Sequence, residues 1–225
     1  MPGEGLSNSS GSIRGEIPGA AIVVGGLASS IEPAAAADCE RILDSWWGQP
    51  VNTFTATAFV AAGVLVWLRR RDVTTALLIG AIGAGSIAFH GPMPPWGEYL
   101  HDASIALTLV WVLLVETQRE RLWPLGFTVG LAVSATPAIA DLAQALLAVA
   151  TIGVILLAGR QRSLRLTAVG ILAGGALVGT LSRIGGPLCD PDSTWQGHGF
   201  WHLAAAAALA IWGLALRSEA RRLEA

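Results

Sequence analysis

Seven stretches of this chain are apolar for close to the length that carries a helix across a lipid bilayer, and no other feature restricts its fold so tightly. A bilayer's hydrocarbon core is about 30 Å thick and takes roughly 20 helical residues to cross. Inside it, every backbone N–H and C=O must be satisfied within the protein, which favours helices. The stretches run over 50–68, 73–90, 99–116, 123–140, 142–159, 166–184 and 197–216. Composition agrees. Hydrophobic residues make up 53% and charged ones 13%, with a mean hydropathy of +0.57, where soluble domains are about a quarter charged. The expectation is an all-α bundle of seven transmembrane helices. Its least distinct boundary lies between the fourth and fifth stretches, which only Asp141 separates. Pro137 can end or kink the fourth helix there, and Asp141 can sit in the outer turn at the interface.

The formal charge of −2 says little, because the charge is segregated along the chain. With seven spans, one side holds Arg69, Arg70, Arg71, Arg119, Arg121, Arg160, Arg162, Arg165, Arg217, Arg221 and Arg222. The other holds Arg14, Arg41 and Arg183. Arginine and lysine collect in cytoplasmic loops, so this bias places the N-terminus outside and the C-terminus in the cytoplasm. All basic residues are Arg, which suggests a GC-rich genome; the expected location is a bacterial inner membrane. No basic face exists outside the short loops, so a nucleic-acid partner has no support.

Residues 1–37 form a separate segment ahead of the membrane domain at 38–216, and 217–225 form a cytoplasmic tail. Positions 1–17 are rich in Gly, Ser and Pro and are expected to be flexible. Positions 18–31 are apolar but too short to span, and Glu4 and Glu16 against Arg14 give the wrong charge for a signal peptide. An interfacial segment is the reading preferred here. Trp46 and Trp47 then enter the first helix at headgroup depth. Cys39 and Cys189 both fall on the outer side, where paired cysteines are favoured over free ones. A bridge between them would fasten the N-terminal segment to the loop leading into the last helix.

All four histidines fall at one level of the bundle. His90 ends the second stretch, His101 opens the third beside Asp102, and His198 and His202 open the last. His198-Gly-Phe-Trp-His202 puts two imidazoles at i and i+4, one turn apart on one helix face, a spacing that lets both reach one metal. Satisfied interface histidines or a haem ligand would explain such a pair as well. His90 makes three ligands, and three protein ligands with a fourth position left open is the pattern of a catalytic Zn²⁺. Asp102 is costly in a membrane helix unless it faces a cavity or a partner. It could act as a general base toward a water at the metal, or it could be a helix N-cap. Ser86 lies one turn before His90 and could donate to an oxyanion, or bond its own helix. His101 points about 100° away from Asp102 and is left outside the ligand set.

The ordered set Ser86-x-x-x-His90, Asp102 soon after, and His198-x-x-x-His202 in the last stretch resembles the alkaline ceramidase superfamily, which also holds the progestin and adipoQ receptors and the Per1-like proteins. The run Cys189-Asp-Pro-Asp-Ser-Thr-Trp-Gln-Gly-His198, with Cys39-Glu40 upstream of Asn52-Thr53, is more similar to the ceramidases than to the receptors. The resemblance covers about residues 38–216. It implies seven helices, a Zn²⁺ on His90, His198 and His202, Asp102 as base, Ser86 at the oxyanion, and a membrane lipid amide such as ceramide as substrate. It departs in one place. Eukaryotic alkaline ceramidases carry an acidic N-terminal calcium site, and here Gln49 stands where a Glu is expected. Asp38, Glu40 and Asp44 remain, but Ca²⁺ prefers six to eight oxygens with several carboxylates, so Ca²⁺ is left unassigned. Two other functions use the same residues: a zinc-containing receptor without turnover, and a bis-histidine haem protein.

Overall fold

The computed structural model describes residues 35–157 and 162–223. Among these residues there is no strand, and seven α-helices follow one another along the chain. They are α1 (Pro50–Arg70), α2 (Val73–His90), α3 (Gly97–Glu116), α4 (Trp123–Val133), α5 (Pro137–Leu157), α6 (Arg162–Leu181) and α7 (Gly197–Leu223). A 3-10 turn at Glu120–Leu122 leads into α4. Six of the helices are long and apolar enough to cross a membrane. The segments expected over 1–31 lie outside the described residues. The backbone of α7 stays helical through Leu223, so the expected tail begins as a continuation of the last helix.

Local chemistry sets the helix starts. Pro50 and Pro124 stand in the first turns of α1 and α4, and Pro137 opens α5. There the missing N–H costs nothing, because first-turn amides have no partner within the helix. Asp72 caps α2, accepting from the Thr75 amide at 3.0 Å and the Thr75 hydroxyl at 2.8 Å. Pro137 therefore acts differently from its expected role. The helix anticipated over 123–140 stops at Val133, and Pro137 begins the next one rather than ending the last. Asp141 accordingly lies inside α5. At 11 residues, α4 is about 16 Å long, and it is the one helix that fails the spanning criterion.

The bundle combines an apolar core with buried polar groups and turns an apolar surface outward. Phe59, Val66, Ile79, Ile82 and Ala206 knit α1, α2 and α7 into one core. Buried beside them are Thr75, Ser86, Thr108 and the histidines His90 and His202. Phe54, Leu77, Leu142, Val149 and Leu177 are turned outward and exposed. That arrangement suits a lipid surround, where outward apolar area costs nothing and inward polar groups find partners. Glycine permits a close crossing near the histidines. A Cβ on Gly85 would come within 2.9 Å of His101 Cα and Leu100 O, so α2 and α3 meet where Ser86, His90 and Asp102 stand.

Two charges expected in cytoplasmic loops belong to the interior instead. Glu116 is the last residue of α3 and Arg165 lies in the first turn of α6, and both are buried. Arg165 Nη1 is 3.0 Å from Glu116 Oε2, and the Trp212 indole N–H donates to Glu116 Oε1 at 2.8 Å. Pairing across the bundle offsets part of the desolvation cost that keeps lone charges in loops.

Candidate metal centre

Two helices deliver the histidines to one point. α2 ends on His90, and α7 opens with His198 and His202 a turn apart. The segment before α1 closes over them, its Gln49 amide donating to the His90 carbonyl at 2.7 Å. One nitrogen from each of His90, His198 and His202 lies within 4.8 Å of the others. His101 is not part of the group. It stacks on Phe89 with centroids 4.8 Å apart and places Nδ1 3.1 Å from Asp102 Oδ1.

The outer nitrogens settle how the rings are held. His90 Nδ1 lies 2.7 Å from Gln49 Oε1, and His198 Nδ1 lies 3.1 Å from Asp38 Oδ1. His202 Nδ1 is 3.1 Å from both the Asn52 carbonyl and the Thr55 hydroxyl oxygen. Carbonyl and carboxylate oxygens only accept, so each of these rings donates from Nδ1 and keeps a lone pair on Nε2. All three Nε2 atoms are buried without a hydrogen-bond partner. A buried acceptor left unmade costs about 1–3 kcal/mol, and three facing one point fit a cation far better than an empty pocket. Rings pinned at one nitrogen by an oxygen acceptor are the usual arrangement around a metal. Together the three histidines could hold a metal ion.

Asp102 and Ser86 share a cavity with two of these histidines. The cavity has a volume of about 500 Å³, and Asp102, Ser86, His198 and His202 line it. Both alternatives left open for these side chains lose their footing. Trp96 is the N-cap of α3, so Asp102 lies in the second turn of the helix rather than at its cap. The Ser86 hydroxyl is buried without any hydrogen-bond partner, so it does not bond its own helix.

The acids considered for calcium are already engaged or apart. Both Glu40 oxygens accept from the first amides of α1, Val51 N at 2.7 Å and Asn52 N at 2.8 Å. Burial pushes the Glu40 carboxyl up from its ordinary value, against those two amides and the neighbouring His198, which pull it down. Asp38 faces His198, and Asp44 is exposed.

Gln49, Asp38 and Thr55 are the neighbours that sequence reasoning missed. Gln49 carries two duties. Its amide nitrogen donates to the Ala35 and Glu40 carbonyls at 2.9 and 2.8 Å, while its oxygen holds His90. It had been read only as a missing carboxylate. Only the fold shows which way an amide side chain reaches.

Compared with known proteins, the chain matches no family model, no curated protein and no solved structure.

The expected disulfide is present. Cys39 and Cys189 are bonded, with Cα atoms 5.7 Å apart. Around the bond, the Arg41 amide donates to the Pro191 carbonyl and the Ile184 amide to that of Ala37. This strap holds Asp38 against His198. Replacing both cysteines by serine is expected to cost about 2–5 kcal/mol, because the bond closes a long loop in the unfolded chain. Thermal unfolding without reductant should show the lowered midpoint, together with reduced metal content.

Proposed function

We propose that this chain is a zinc-dependent hydrolase of membrane lipid amides, related to the alkaline ceramidases, with its site toward the outer leaflet of a bacterial inner membrane. The observation that carries the reading is the set of three Nδ1-anchored imidazoles whose bare Nε2 atoms converge beside a buried carboxylate. Three imidazoles suit Zn²⁺ among several divalent metals, and a fourth position open to a cavity suits a catalytic ion over a structural one. The succession of helices is consistent with seven passes. α2 ends and α7 begins at the histidines, so in this reading the short α4 and the turns flanking it return the chain to that end. Asp141, near the start of α5, lines the same cavity as Asp102.

A zinc ion on His90, His198 and His202 would supply Lewis acidity toward a carbonyl and a water of lowered pKa. The chain's own groups do the rest. Asp102, steadied by His101, takes the proton of the attacking water as it adds to the amide carbon. It returns that proton to the nitrogen as the C–N bond breaks, since an amine leaves poorly unless protonated. The unpartnered Ser86 hydroxyl donates to the oxygen on which charge develops. The products are a fatty acid and a long-chain base, and ceramide is the leading substrate.

A haem between two of these imidazoles is disfavoured, because the ring centroids stand only 4.6 to 5.2 Å apart and leave no room for a porphyrin plane. A zinc-holding receptor without turnover is the remaining rival. Purified protein with its metal content measured, incubated with fluorescent long-chain amides, separates the two. Release of free fatty acid supports the hydrolase, and its absence across the amide series, with metal bound, hands the site to the receptor. Ser86→Ala should retain metal and lose about 10²–10³ in rate, the usual cost of one oxyanion donor.

A further inference from the structure

We infer that the buried Glu116–Arg165–Trp212 cluster is the floor of the substrate cavity and sets the longest acyl chain that the cavity admits. This rests on the lipid reading of the same cavity and adds the residues that would measure its ligand. The cavity touches His198 and His202 at one end and Arg165 and Trp212 at the other, with Glu116 held behind those two. Its walls between are mostly apolar, with Ile82, Ile105, Leu109, Leu172 and Leu209 facing in beside the polar Thr108 and Gln144.

The depth fits one chain. Asp102 and Glu116 lie on a single helix, about 21 Å apart along its axis, and His202 and Trp212 are about 15 Å apart on another. One leaflet of hydrocarbon is about 15 Å deep, half of a bilayer core. A chain entering with its carbonyl beside Ser86 would therefore bring its methyl end to the floor.

What waits there cannot be pushed aside cheaply. Arg165 and Glu116 are both buried and paired at 3.0 Å, and the Trp212 indole N–H donates to the same carboxylate at 2.8 Å. Arg165 Nε and Thr151 Oγ1 are buried without hydrogen-bond partners, polar surface that a methyl terminus gains nothing by covering. A tail one step too long must buckle or part an ion pair away from water. Ordinary hydrophobic walls yield by rotamer changes, whereas a buried ion pair loses its compensation as soon as it is separated.

The test uses the metal-loaded protein in lipid nanodiscs and an equimolar mixture of saturated fatty acids from dodecanoic to docosanoic acid. Bound acids are released and quantified by mass spectrometry, and a matching series of fatty amides is assayed for turnover. The wild-type protein should show an upper edge, with acids beyond it depleted by about tenfold, the scale of losing one charge-assisted hydrogen bond. Two variants should move that edge in opposite directions. Glu116→Ala combined with Arg165→Ala removes both charges together, so neither is stranded, and should admit longer chains. Ala168→Phe fills the cavity one turn along α6 from Arg165 and should admit only shorter ones.

An edge that stays put in either folded variant, or a wild-type profile without an edge, overturns the inference. If the double variant fails to fold, the Ala168→Phe shift alone decides. Should the acids show the edge while no amide is cleaved, the hydrolase reading falls and the floor stands.

Discussion

Asp102→Asn is expected to lower turnover of an accepted lipid amide by about 10³-fold while leaving the metal in place. General acid–base groups contribute roughly 10²–10⁴ in rate, and Asp102 is asked to move a proton twice in each cycle. Asparagine keeps the shape and one oxygen acceptor, so the 3.1 Å contact with His101 Nδ1 can persist. The three histidines take no hydrogen bond from Asp102, so their grip on a metal should not change. Fatty acid release and metal content measured on the same sample separate chemistry from binding. Wild-type turnover in Asp102→Asn would reduce Asp102 to a partner of His101 and remove it from the reaction.

Replacing His198 or His202 by alanine should strip most of the metal and with it all turnover. Each supplies one of three inward nitrogens, and two imidazoles make a poor site. The loss should exceed the ~10–100-fold that follows from removing a group that merely orients a ligand. Mass spectrometry of purified variants reads the occupancy, and thermal unfolding with and without added Zn²⁺ gives a second measure, since a bound ion stabilises only the folded state. Full occupancy in both variants would sink the assignment.

Much of this molecule was legible because lipid simplifies the code. Where the surround is apolar, hydropathy alone marks most helices, and a polar side chain in their midst is worth noticing. That is how His90, Asp102, His198 and His202 stood out, and why the expectation that Cys39 and Cys189 share the outer side led to their pairing, which the structure bears out. The i,i+4 spacing of His198 and His202 needs only helical geometry to become a pair of ligands. The errors arose where one residue type serves opposite ends. Proline can close one helix or open another, and Pro137 opens α5. Glu116 and Arg165 read as loop charges because neither announces its partner across some fifty positions of chain; only packing joins them. Gln49 and Asp38 were hidden for the same reason, as their roles depend on distant rings that the fold brings to them.

The hold that Gln49 and Asp38 keep on His90 and His198 also makes two processes thermodynamically inseparable. Both residues belong to the segment ahead of α1, which the Cys39–Cys189 bond ties to the loop before α7. If ordering that segment raises the affinity for a metal by some factor, binding the metal must favour the ordered segment by the same factor. A broken bridge and an absent ion are then two ways of perturbing one equilibrium. Titrating either against the other would give a single coupling constant, the same from both directions.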